Sequence, residues 1–136
     1  NLCSFGFQYD SRIHDANLLT QICTLCPWIV NLDVSGFYSL SDEVVVPAIK
    51  ALHQLRTFRV YDEVKLTDLV PNALLAHHKH TLEAVYLYDC DFISAHAINL
   101  LLKECDRMHT ISCAVQDDLD YGLICNLTTP SQLMAS

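Results

Sequence analysis

Arg59-x-Tyr61 and Tyr86-x-Tyr88 place one guanidinium and three phenols at alternate positions of two short segments that lie 27 residues apart. If both segments are strands, alternation sends all four side chains to the same face, and pairing of the strands sets them side by side. Tyr and Arg are enriched among the residues that dominate protein interfaces. A phenol ring supplies a large contact with few rotatable bonds, and the planar guanidinium fork can hold a carboxylate through two parallel bonds. The chemistry of this set is recognition. Asn31 and Asp33 occupy the equivalent alternate positions of an earlier segment and extend the candidate surface. The competing reading is a row of solvated strand residues, since Tyr has high β propensity whatever it binds.

Other reactive residue types are present in weaker arrangements. Asp62, Glu63, Asp89 and Asp91, continued by Asp117, Asp118 and Asp120, form an acidic rim just beyond the aromatic segments. Such a rim could attract a basic peptide or a cation, or be ordinary loop polarity. Cys23-x-x-Cys26 has the spacing of a metal or redox pair, but no second pair stands at a matching distance, and buried thiols are the stronger reading. His77, His78 and His80 lack a carboxylate or Cys at ligand spacing. Partly protonated rings at a helix C-terminus account for them better. Asn126-Leu127-Thr128 is a formal glycosylation sequon without other signs of secretion. No phosphate loop, nucleophile elbow or paired-acid constellation is present, so the chain reads as no enzyme, with no cofactor and no metal.

What must position these residues is a repeat. The pattern apolar-x-x-apolar-x-apolar begins at Leu2, Ile29, Leu55, Leu82 and Met108, in steps of 27, 26, 27 and 26. A second apolar marker follows at a constant offset, at Ile13, Leu40, Leu66, Ile93 and Leu119. Two markers in register through five units identify a stacked array of supersecondary units. In the second unit Leu32 and Val34 alternate with Asn31, Asp33 and Ser35, the period of a half-buried strand. Gly36 ends that strand, Leu40 turns inward, and Ser41-Asp42 offers a helix N-cap. Val44, Val45, Ala48, Ile49 and Leu52 follow at helical spacing. Pro47 should interrupt a helix running from Ser41, so an irregular turn is expected first, with the helix starting near Pro47. The other units repeat the plan, with strands expected over 4–8, 31–35, 57–61, 84–88 and 110–114.

The fuller unit, L-x-x-L-x-L-x-x-C-x-x-[LI]-[ST]-D, stands out in Leu40-Ser41-Asp42, Leu66-Thr67-Asp68, Ile13-His14-Asp15 and Ile93-Ser94, with Cys90 at the cysteine position. Cys26-Pro27 and Cys105 precede their units by three residues. Over residues 2 to about 120 the chain resembles the cysteine-containing class of leucine-rich repeat, as in the substrate-binding half of F-box proteins. The resemblance implies an α/β leucine-rich-repeat solenoid, a right-handed β-α superhelix with parallel strands on the concave face and helices on the convex face. It implies a single array over 1–136 of about five units. Neither end offers a polar cap, so the array is expected to continue beyond both. In that family an F-box docks the repeats onto the Skp-type adaptor of a ubiquitin ligase.

Composition narrows the partners. The formal charge is -8 with only eight Lys and Arg, which argues against neutralising nucleic-acid phosphates. No apolar run is long enough for a membrane span. Seven cysteines in apolar context point to a reducing, cytoplasmic or nuclear compartment. The leading expectation is a protein–protein recognition scaffold that binds a protein partner, substrate or adaptor, for an F-box-type receptor. The alternatives are an interaction domain of another intracellular sensor or regulator, and an enzyme with its site on the acidic rim.

Overall fold

A computed structural model describes residues 3–6, 17–35, 40–61 and 65–114. Strands and helices alternate through them: β1 (Ser4–Phe5), α1 (Asn17–Leu25), β2 (Asn31–Asp33), α2 (Asp42–Ala51), β3 (Thr57–Val60), α3 (Leu69–His78), β4 (Ala84–Tyr88), α4 (Ala95–Glu104) and β5 (Thr110–Ala114). The strands form one parallel sheet in chain order, β1-β2-β3-β4-β5. Each helix packs against the next, α1 on α2, α2 on α3 and α3 on α4.

The sequence period is the lateral register of this sheet. Ser4 pairs with Asn31, Asn31 with Thr57, Thr57 with Ala84, and Ala84 with Thr110. Just ahead of each strand, one carbonyl accepts two successive N–H groups of the next unit. Val30 O takes Arg56 N and Thr57 N at 2.8 and 2.9 Å, and Arg56 O takes Glu83 N and Ala84 N at 2.7 and 3.0 Å. Cys3 O and Glu83 O repeat the arrangement.

The core lies between sheet and helices. Ile29, Val34, Leu55, Phe58, Val60, Leu82, Val85, Met108 and Ile111 are fully buried, and Leu32, Leu87 and Cys113 nearly so. The second markers Leu40, Leu66 and Ile93 join the same cluster. Helix residues Leu19, Cys23, Val45, Ile49, Leu74 and Leu101 close it from the other side. Each such side chain contributes roughly 1.5–3 kcal/mol by leaving water. The markers at Leu2, Phe7, Ile13 and Leu119, and Gly36, lie outside the described residues.

One local expectation fails. Helix α2 starts at Asp42, not near Pro47, and runs through the proline. Its first turn is closed by Val44 N and Val45 N on the Ser41 carbonyl, both at 3.1 Å. Pro47 and Glu43, whose carbonyl forgoes the missing bond, are both exposed, so water can satisfy that acceptor. The opposite face buries Val45, Ala48 and Ile49, and that burial outweighs one lost bond. Pro71 lies in the first turn of α3, where no N–H is required.

The Ser41 side chain makes no capping bond. The [ST]-D pair acts laterally instead. Asp42 accepts Thr67 N–H at 2.9 Å and Thr67 Oγ–H at 2.6 Å. One unit on, Asp68 accepts Ser94 N–H and Oγ–H, both at 2.7 Å, while Ser94 Oγ caps α4 by accepting Ala97 N–H at 3.2 Å. Each carboxylate thus fastens the start of the next unit's helix. Ala95 stands where the next Asp would be, and the series stops there.

Candidate functional site

Because strand side chains alternate, the partners of the core residues emerge on the sheet face away from the helices. Arg59 shares a rung with Asp33 on one side and Tyr86 on the other. Its guanidinium carbon lies 4.4 Å from the Tyr86 ring centroid and 5.8 Å from that of Tyr61. Tyr61 stacks on Tyr88 across the strand boundary, with centroids 4.7 Å apart and planes inclined by 10°. The Tyr88 hydroxyl meets Ser112 Oγ at 2.5 Å, and Ser112 is itself buried beneath it. Arg59, Tyr61, Tyr86 and Tyr88 therefore form one cluster, as their spacing required.

Asp33 joins this cluster indirectly. Its carboxylate accepts Ser35 N–H at 2.9 Å and Ser35 Oγ–H at 2.5 Å, and Ser35 Oγ accepts the Tyr61 N–H at 3.1 Å. Asn31 lies apart, donating from Nδ2 to Ser4 Oγ at 3.0 Å. Ser35 and Ser112 were legible only as outward strand positions; their supporting roles depend on neighbours two units of chain cannot reveal. Ala84, at another outward position, is buried among its neighbours.

The patch is held rigidly. An offset aromatic pair contributes about 0.5–1.5 kcal/mol beyond its buried area, and a cation over a ring about as much. Burial raises the Tyr61 hydroxyl above its ordinary pKa; Arg59 pulls the other way, while Tyr88, Asp33 and Tyr86 push with burial. Beside the cluster, over β1 to β3, lies an open depression of ≈ 730 Å³ whose lining includes Ser4, Asn31, Asp33, Thr57, Arg59 and Tyr61. Gly6 also lines it, and its lack of a side chain permits the close approach to Asp33, since a Cβ there would stand 2.8 Å from Asp33 Cβ.

The remaining candidates resolve differently. His78 is buried, with Nδ1 accepting Leu55 N–H at 3.2 Å and Nε2 donating to the Ile49 carbonyl at 2.8 Å. Burial holds this imidazole below its ordinary pKa, so it is a neutral strut joining α2 and α3, not the protonated helix-end group its position suggested. His80 pairs with Asp106, and His77 is exposed. Burial and the neighbouring Cys26 push the Cys23 thiol up to about 12, where it is inert. Burial, aided by Asp89 and Asp91, does the same to Cys90, also at about 12. Among the described residues, no three His, Cys, Asp or Glu converge as a metal-ligand set, and no helix is long and apolar enough to cross a membrane. Asp89 adopts φ 57, a left-handed conformation that Asp tolerates better than most residues. Asp62, Glu63, Asp117, Asp118, Asp120 and the Asn126 sequon lie outside the described residues. Neither a protein-family model nor a curated protein sequence matches this chain.

Proposed function

We propose that this chain is a protein-recognition scaffold whose partner docks on the sheet face through Arg59, Tyr61, Tyr86 and Tyr88. The observation that carries the reading is the interlocked cluster: Tyr61 on Tyr88, Arg59 on Tyr86, and Tyr88 tied to Ser112. Side chains ordered before binding reduce the entropy lost on association.

The period and the in-register parallel sheet support a leucine-rich-repeat solenoid, with this face concave and the helices convex. The [LI]-[ST]-D units and Cys90 favour the cysteine-containing class, and with it the substrate-binding repeats of an F-box-type ubiquitin-ligase receptor working inside the cell. The adaptor claim is tested by the reading frame upstream of Asn1 and by co-precipitation with a Skp-type adaptor. The surface claim is tested by measuring the affinity of a captured partner. Tyr86→Ala should weaken it by about 2 kcal/mol or more, as at a central hot spot. Lys103→Ala, on the exposed side of α4, is the control and should change little. Equal losses with the fold intact would place the partner elsewhere.

A further inference from the structure

We propose that the depression over β1 to β3 receives a carboxylate side chain of the partner, seated on the guanidinium of Arg59; this rests on the recognition reading above. Arg59 and Asp33 stand on the same rung of neighbouring strands, where opposite charges ordinarily pair. Here they do not. Both hydrogen bonds that fix Asp33 run to its own Oδ1, from Ser35 N at 2.9 Å and Ser35 Oγ at 2.5 Å. The guanidinium carbon instead rests 4.4 Å from the Tyr86 centroid and 5.8 Å from that of Tyr61, while Arg59 still lines the depression. A cation–π contact uses none of the five N–H donors. Among the described residues Arg59 has no carboxylate within ion-pair distance, whereas Arg56 on the preceding edge takes Glu83 at 3.5 Å. The result is a half-buried cation resting on a ring, with a planar fork that takes no carboxylate among the described residues, beside an open depression.

The neighbours define the charge of the guest. Asn31, Thr57 and Ser4 line the depression with neutral hydrogen-bonding groups, and Tyr61 offers an apolar wall. Asp33 contributes one negative charge, which a monoanionic carboxylate meets with less repulsion than a phosphate carrying nearly two. An extended acidic peptide, with its flanking side chains against Tyr61 and Tyr88, satisfies the fork and the aromatic surface together.

The test uses immobilised protein and short capped peptide pools, random except for a central position fixed as Glu, Gln, Lys or phosphoserine. The Glu pool should be retained about tenfold more strongly than the Gln pool, the order expected for one charge-assisted pair. Arg59→Gln should abolish that preference, and Arg59→Lys, which keeps charge but not the fork, should restore only part of it. Asp33→Asn, which preserves an acceptor for Ser35, should strengthen it. Equal retention of Glu and Gln, or a Lys or phosphoserine pool ahead of Glu, would overturn the proposal. If Tyr86→Ala then weakened every pool alike, the recognition reading would survive without it. Retention of no pool would remove both.

Discussion

Replacing His78 by alanine should cost about 3 kcal/mol of folding stability. The ring is 1% exposed and bridges the end of α2, the approach to β3 and the end of α3. In the variant the Ile49 carbonyl still accepts Leu52 N–H, at 3.3 Å, but Leu55 N–H loses its acceptor. An orphaned buried donor costs about 1–3 kcal/mol, and the emptied ring volume adds a comparable amount. The same residue makes stability depend on pH. Burial depresses its folded pKa; the bond to the Ile49 carbonyl opposes this in part, and His77, with its ring centroid 6.4 Å away, acts with burial. The unfolded chain therefore takes up the proton first, near pH 6.5. Stability from His78 is complete above that value and drains as pH falls toward the folded pKa. Between about pH 6.5 and about pH 5.5 the loss is at most about 1 kcal/mol. His78→Gln can still bond Leu55 but does not titrate. Urea unfolding followed by circular dichroism across this range should show the gap between wild type and His78→Gln narrowing toward acid. Parallel curves, or a gap that widens, would mean that the ring is protonated in the fold.

Pro47→Ala should stabilise the protein by about 1 kcal/mol or more, because it returns the Glu43 bond to a helix already formed through this position. A loss in urea midpoint would instead favour a helix that starts at the proline. Asp42→Ala should cost about 2 kcal/mol and Asp68→Ala about 1, since the first carboxylate serves a part-buried Thr67 and the second an exposed Ser94. Equal costs in thermal melts would separate the two rungs from their burial. Gly6→Ala should displace Asp33 and weaken partner binding, because the new Cβ would stand 2.8 Å from Asp33 Cβ; unchanged affinity would show that Asp33 can yield freely. Iodoacetamide at about pH 8 should label exposed Cys3 in the native protein and spare Cys23, Cys90 and Cys105, whose thiols burial raises to about 12, about 12 and about 11. Rapid labelling of the buried three, read by peptide mass spectrometry, would show that the core opens.

The parallel sheet and its register were legible because the apolar markers repeat at the spacing of the paired strands. Ser4↔Asn31↔Thr57↔Ala84↔Thr110 follows the steps of the sequence period without a slip. The start of α2 was misread because a local rule about Pro47 was applied without knowing which side of the helix would face water. His78 was misread for the same reason. Its position in the last turn suggested a solvated cation, but it is buried against the end of α2 and the approach to β3, bonded to Ile49 and Leu55.

By itself the sequence determined the apolar markers of the core, which strand positions share a face, and that Arg59, Tyr61, Tyr86 and Tyr88 are neighbours. These follow from periodicity, and periodicity is local and additive. Only the tertiary structure decided how those neighbours engage. Arg59 could have paired with Asp33 on one side or Tyr86 on the other, and both lie one strand away. In the structure Ser35 holds Oδ1 of Asp33, and Arg59 rests on Tyr86. Asp42 and Asp68, which looked like helix caps, became ties between units for a similar reason: each finds a hydroxyl and an N–H on the adjacent repeat. A hydrogen bond depends on distances and angles between residues some 26 positions apart, and no pattern of residue types carries that geometry.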